Sequence, residues 1–184
     1  MTKSDIAKVR LRSNPIENLS KGEIKKMLIE NNFFSGGSLL SYVFFAPKNK
    51  QGKGLNHQYE VLEREAEKLV IDYITGLTWQ QSGSLNNMKH DEAKKYIKHL
   101  NTNRFADYNN WRLPTLEEAM SLMESEKKNG NLYISEVFDN KQMRIWTADK
   151  ESGSFAWVVL FNLGFCFFNL VDFDVYIRAV RDDN

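Results

Sequence analysis

Apolar residues recur with helical spacing in three stretches of the chain. Ser20-Lys21-Gly22-Glu23 forms a capping box, in which the serine and glutamate side chains each satisfy a backbone N–H of the first turn. Ile24, Met27, Leu28 and Ile29 follow it and predict a short amphipathic helix to about Glu30, ended by Asn31, Asn32, Gly36 and Gly37. Ala93, Tyr96, Ile97 and Leu100 fall at i, i+3, i+4 and i+7 with Lys94, Lys95 and Lys98 opposite, which predicts a helix from Asp91 to around Asn101–Asn103. Thr115 and Glu118 make a second capping box behind Pro114, ahead of the stripe Leu116, Ala119, Met120 and Met123. Strand character lies elsewhere. Leu69 to Tyr73 is a β-prone run that breaks at Gly76 and resumes at Leu77-Thr78-Trp79, and Met143–Ala148, Phe155–Phe161 and Val175–Val180 read as further strands. Lys48 to Gly54 reads as a mobile Lys- and Gly-rich loop, and Lys127 to Asn131 as a turn. A strand, two helices and then strands is an α+β order, not an alternating one. Residues 1–58 form an N-terminal extension with a short helix, either an appendage or a layer on the main domain of residues 59–184.

One stretch fits neither period. From Leu163 to Tyr176 the chain reads LGFCFFNLVDFDVY, and Phe165, Phe167, Phe168, Leu170, Val171, Phe173 and Val175 cannot share one regular face. Two readings stay open: a buried strand pair with a bulge, or a loop-rich apolar patch of the kind that marks a binding surface.

Composition narrows the classes. The 184 residues carry 25 basic and 24 acidic side chains, a net charge of +1, with 42% hydrophobic residues. That describes one globular domain without the basic surplus that phosphate neutralisation needs, so a nucleic-acid partner is not expected. The lone cysteine, Cys166, excludes an intrachain disulfide and any two-thiolate zinc site. The longest apolar runs, Tyr42–Pro47 and Phe155–Phe161, fall far short of the roughly 20 residues of a membrane span, and no export signal is visible. A cytoplasmic protein with no membrane partner is expected. His57, His90 and His99 lack metal spacing, the aspartates Asp72, Asp91, Asp107, Asp139 and Asp149 are scattered, and no phosphate cradle or nucleophile elbow occurs. Neither catalysis, cofactor nor metal is expected. Trp79, Trp111, Trp146 and Trp157 read as core anchors whose indole N–H groups bond loop carbonyls.

Taken together, Asp72–Ser84 (DYITGLTWQQSGS), Phe105–Tyr108 (FADY), Asn110–Glu118 (NWRLPTLEE), Ile145–Ala148 (IWTA), Trp157-Val158-Val159, Gly164 and Arg178–Arg181 (RAVR) form a recognisable series. Across roughly residues 60 to 181 it resembles the Lcl C-terminal domain family. The resemblance implies a C-type-lectin-like fold: two helices and a small twisted antiparallel sheet. That fold is also similar to the formylglycine-generating enzymes, whose chemistry uses a pair of thiolates. A single Cys166 does not supply it. Calcium-dependent sugar binding would need clustered oxygen ligands, for which Asn169, Asp172 and Asp174 are a thin set.

The chain resembles still more closely the variable proteins of diversity-generating retroelements, in which a C-terminal segment is rewritten by adenine-directed mutagenesis. There a WVV-type strand and a terminal RAVR frame ligand-facing residues. Here Trp157–Val159 and Arg178–Arg181 bracket the irregular stretch, giving a variable segment of about residues 160–176. Mutating the adenines of AAC or AAT codons cannot yield Lys, Glu, Gln, Met or Trp, which number 17, 14, 5, 6 and 4 in the chain. The segment from Val158 to Arg181 contains none of them, although buried strands are depleted in Lys and Glu anyway. The resemblance therefore implies a ligand-binding set of Leu160, Asn162, Leu163, Phe165, Cys166, Phe167, Phe168, Asn169, Leu170, Val171, Asp172, Phe173, Asp174 and Val175. Phe165, Phe167, Phe168 and Phe173 are its expected apolar centre. The partner would be a protein or other macromolecule, and an apolar patch can equally serve self-association. The alternatives are an undiversified lectin-like module and, less favoured, an oxidase relic.

Overall fold

The computed structural model describes residues 8–36 and 46–182, so Gly37 and the Tyr42–Phe45 part of the first apolar run lie outside the described residues. The architecture is α+β, with few helices and two small antiparallel sheets. Helix α1 spans Lys21–Glu30, α2 His90–Thr102 and α3 Leu116–Ser121. Strands β1 (Tyr59–Arg64), β2 (Glu67–Asp72), β3 (Leu77–Gln80) and β7 (Val180–Asp182) form one sheet in that order. Strands β4 (Arg144–Ser152), β5 (Phe155–Leu160) and β6 (Phe165–Leu170) form the other.

Both predicted capping boxes close. Ser20 and Glu23 bond each other's backbone at the start of α1, and Thr115 N–H donates to Glu118 at 2.8 Å at the start of α3. Glu118 is buried and also receives both terminal nitrogens of Arg112 at 2.7 and 2.6 Å, which accounts for much of the WRLPTLEE sequence. The tryptophans are buried, and three of them donate as expected: Trp111 to Phe105 O, Trp146 to Met88 O and Trp157 to Leu19 O. The Trp79 indole N–H is buried with no partner among the described residues.

The described part of the N-terminal extension is a packed layer. Leu19, Ile24, Leu28, Phe33 and Phe34 share one core with Val70, Trp79, Leu116, Met120, Trp157 and Val159. The strap that precedes α1 runs along β4, where Leu19 N–H bonds Lys150 O and Lys150 N–H bonds Ile16 O. Asp149 of β4 is fully buried and accepts from Arg12 Nη1 and Nη2 at 2.9 and 2.7 Å. It also accepts from Ile16 N and Leu116 N, both at 2.6 Å, so one carboxylate ties the strap to the first turn of α3. The stretch Lys48–Gly54, expected to be mobile, is pinned instead. The Asn49 amide donates to Leu28 O and Phe33 O, and a Cβ on Gly52 would stand 2.3 Å from Phe33 O.

Two further expectations change. Val175–Val180 is a strand only from Val180 onward. Its earlier part is extended and held by single bridges, Met88 with Val175 on one side and Ile145 with Tyr176 on the other, because it crosses from one sheet to the next. The crossing passes close to Gly83, whose φ is +95° and where a Cβ would lie 2.3 Å from Ile177 O, so this position requires glycine. Residues Phe165–Leu170 form the strand pair of the first reading, but with an unbroken register from Phe155↔Leu170 to Leu160↔Phe165. The bulges fall between β4 and β5 instead.

Candidate functional site

Strand β6 lacks an alternating pattern because both faces of its sheet are covered. By cross-strand pairing and alternation, Trp157, Val159, Cys166 and Phe168 share one face, which packs on the main core. Ala156, Val158, Leu160, Phe165, Phe167 and Asn169 share the other. On that second face Trp146, Ala156 and Val158 pack with Val175 and Ile177 of the segment that crosses after β6. A turn closed by Phe173 N–H to Leu170 O begins the crossing, and Val171 N–H bonds Ser154 O.

This arrangement divides the predicted residues. Phe165, Cys166 and Val175 have at most 2% of their surface exposed and are interior residues, which corrects their assignment to a ligand-facing surface. The half-buried Phe168 ring lies edge-on to Phe155 and Trp157 at 5.4 and 5.5 Å, with Lys21 Nζ 5.0 Å above it. It too belongs mainly to the framework, so the four phenylalanines do not form one exposed centre. Asn162 and Leu163 lie in the β5–β6 turn, at the opposite end of β6 from Leu170, and the Asn162 side-chain Oδ1 is buried without a partner among the described residues. Leu160, Phe167, Asn169 and Val171 are half-buried. Leu170 and Phe173 are 50% and 45% exposed, and Asp172 and Asp174 are also exposed.

The coherent surface is therefore the end of β6 and the start of the crossing: Phe167, Asn169, Leu170, Val171, Asp172, Phe173 and Asp174. Two cations absent from the sequence reading stand on it. The Arg144 guanidinium lies 5.5 Å from the Phe173 ring centre, and Lys89 Nζ is 4.0 Å from Asp172. The second contact is largely exposed and contributes little to stability. Nothing in the local sequence marks either residue, since each comes from another element. The surface presents apolar area with both charge signs at its edge.

The bracketing motifs are framework. Arg178 is fully buried and donates to the carbonyls of Gln80, Gln81 and Asp139 and to Gln142 Oε1, with its guanidinium 4.8 Å from the Phe138 ring centre. Burial pushes its pKa down to about 9, partly offset by Asp139 and Tyr59. Arg181 donates to Asn110 at 2.8 Å and lies 3.8 Å from the Tyr108 ring centre.

No nucleophile stands poised at this surface. Burial pushes the Cys166 thiol up to about 12, so it is not a thiolate at neutral pH. Among the described residues no group of three or more His, Cys, Asp or Glu could hold a metal ion. A groove of about 570 Å³ between α2 and the β2–β3 hairpin is lined by Lys68, Gln80, Leu85, Tyr96, His99 and Phe105, among others. The buried Gln80 amide donates to the half-buried Tyr96 hydroxyl at 3.1 Å.

His57 is engaged on both nitrogens, by Asp72 at 2.8 Å and Ser121 O at 2.8 Å. Burial disfavours its imidazolium, but the hydrogen bond and charge of Asp72 and the Ser121 carbonyl outweigh that and raise its pKa. A raised folded-state pKa contributes stability that is complete below the unfolded value of about 6.5 and is lost as pH rises through the folded value. Urea unfolding from pH 5.5 to 8.5 is expected to show this loss in the native protein and not in His57→Asn. Equal pH dependence in both would contradict the assignment.

No helix among the described residues is long and apolar enough to cross a membrane. No curated protein matches the sequence. The Lcl C-terminal domain profile matches residues 68–181, from β2 through the crossing segment to β7, and thus takes in the Thr115–Glu118 capping box, the buried arginines and the exposed turn. The chain belongs to the Lcl C-terminal domain family.

Proposed function

We propose that the protein is a non-catalytic, cytoplasmic binding module of C-type-lectin-like fold, whose ligand surface is formed by Phe167 and Asn169 to Asp174 and is diversified by a retroelement. The observation that carries this reading is a contrast in burial. Trp157–Val159 and Arg178–Arg181 are at most 6% exposed, whereas Leu170, Asp172, Phe173 and Asp174 between them are open to solvent. A surface whose side chains are replaced must not be required for folding, and the side chains of Leu170, Asp172, Phe173 and Asp174 suit that condition because they are open to solvent. Leu170 and Phe173 supply the apolar contact, and Asn169, Asp172, Asp174 and Arg144 its directional partners. The ligand class is a protein or other macromolecule. The inert Cys166 thiol and the doubly bonded His57 support the absence of catalysis.

Leu170→Ser with Phe173→Ser is expected to change unfolding free energy by less than about 1 kcal/mol, as exposed substitutions do. It should also reduce the binding of an exposed-hydrophobe dye. Cys166→Asp, which buries a charge between Trp157 and Val159, is expected to cost more than about 3 kcal/mol. Denaturant titration of the three proteins checks this, and a double serine variant as unstable as Cys166→Asp would overturn the reading.

A further inference from the structure

His90, the first residue of α2, is 2% exposed and sits directly behind the crossing segment. Its backbone N–H donates to Val171 O at 2.9 Å, and its Nε2 lies 3.0 Å from Thr147 O. A carbonyl can only accept, so Nε2 carries the hydrogen and Nδ1 is the bare nitrogen. Nδ1 is buried and has no hydrogen-bond partner among the described residues. The ring stands edge-on to Trp146 at 5.2 Å, and the Trp146 indole donates to Met88 O at 2.8 Å. Met88 and Val175 exchange two backbone hydrogen bonds of 2.9 and 3.1 Å. One ring therefore backs the contacts that fasten residues 171–175 to the start of α2.

A proton on Nδ1 would place a donor and a positive charge in a buried site that offers no acceptor. The helix end adds to the cost, because its free N–H groups disfavour a cation there. The charged groups around the ring relieve it only in part. Lys94 of the same helix and Lys150 of β4 oppose the charge, Asp91 favours it from a highly exposed position, and Asp172 of the crossing segment is engaged by Lys89. Burial, with these two lysines, outweighs the Thr147 carbonyl and Asp91 and holds the imidazole pKa below its ordinary value.

We propose that His90 is a pH-sensitive latch: its neutral form holds the segment from Val171 to Val175 closed against α2 and β4, and its protonation releases that segment. Release regulates ligand binding in so far as this segment is the ligand surface, so that part rests on the reading above. The latch itself does not. The closed state holds His90 neutral and the open state lets it titrate near 6.5, so opening is suppressed above that pH and grows as pH falls, by at most about tenfold per pH unit for one proton.

Amide hydrogen exchange, corrected for intrinsic rates, tests the latch without any ligand. Between pH 7.5 and 5.5 the protection of the Met88, His90 and Val175 amides is expected to fall about tenfold, while that of Val70 in β2 holds. His90→Gln keeps a donor for Thr147 O and cannot titrate, so its protection should be flat. An imidazole titration by NMR provides the second readout in the unmutated protein, and the ring and the Val175 amide should share one inflection below 6.5. Equal loss in both proteins, no loss, or unlinked inflections would overturn the proposal. Intact latch behaviour together with no diversified codons would instead remove only its link to binding.

Discussion

Replacing Asp149 by alanine is expected to destabilise the protein by about 3–5 kcal/mol, the range found when one partner of a buried ion pair is removed. The carboxylate is fully buried and holds four donors from three places in the chain: the Arg12 guanidinium twice, the Ile16 N–H and the Leu116 N–H. Alanine leaves a half-buried guanidinium without its principal counter-charge and two backbone donors without an acceptor, each of which costs free energy in its own right. At roughly 2–4 °C per kcal/mol for a chain of this size, the unfolding midpoint should fall by on the order of 10 °C. The double variant with Arg12→Ala should recover part of the loss, because it removes the uncompensated cation. A fall of under about 1 kcal/mol in Asp149→Ala would show that the strap does not depend on this carboxylate.

A fragment comprising residues 59–184 is expected not to fold cooperatively. It contains the whole span matched by the family, yet it lacks Leu19, Ile24, Leu28, Phe33 and Phe34, which are buried in the same core as Trp157 and Met120. Each such side chain contributes about 1.5–3 kcal/mol on burial, so their removal forfeits on the order of 10 kcal/mol. A domain of this kind has only about 5–15 kcal/mol of net stability to lose. The fragment would also free the Trp157 indole N–H from Leu19 O. Circular dichroism during thermal unfolding is the check: a sharp sigmoidal transition in the fragment would show that the first 58 residues are a separable appendage after all.

The local elements were readable because their determinants are local. Each capping box is a reciprocal bond within four residues, and α2 declares itself by one apolar stripe against lysines. Strand β1 escaped notice because Val61, in its middle, is 48% exposed, so the strand does not announce a buried face. Strand β6 was ambiguous for the opposite reason: with core on one side and the crossing segment on the other, it carries apolar residues at successive positions. Lys48–Gly54 has the composition of a mobile loop, but the anchoring of Asn49 to two carbonyls near α1 depends on chain separated from it by many residues. The candidate surface was legible as a segment and not as a set of side chains. Which of Phe165, Phe167, Phe168 and Phe173 faces out depends on pairing register and on where the chain turns after Leu170. Arg144 and Lys89 reach the surface from distant elements that no motif connects to it.

The central claim is that the segment ending in the exposed turn is rewritten while its buried frame is kept, and the genomic DNA around the gene tests it most directly. A near-copy of the codons from Trp157 to Arg181 is expected nearby, differing only where that copy has adenines. The differing codons should fall among those for Phe167, Asn169, Leu170, Val171, Asp172, Phe173 and Asp174 and spare those for Trp157, Val159, Arg178 and Arg181. The absence of both such a copy and an adjacent reverse transcriptase gene would contradict diversification, and the exposed turn would then be the surface of a fixed binding module.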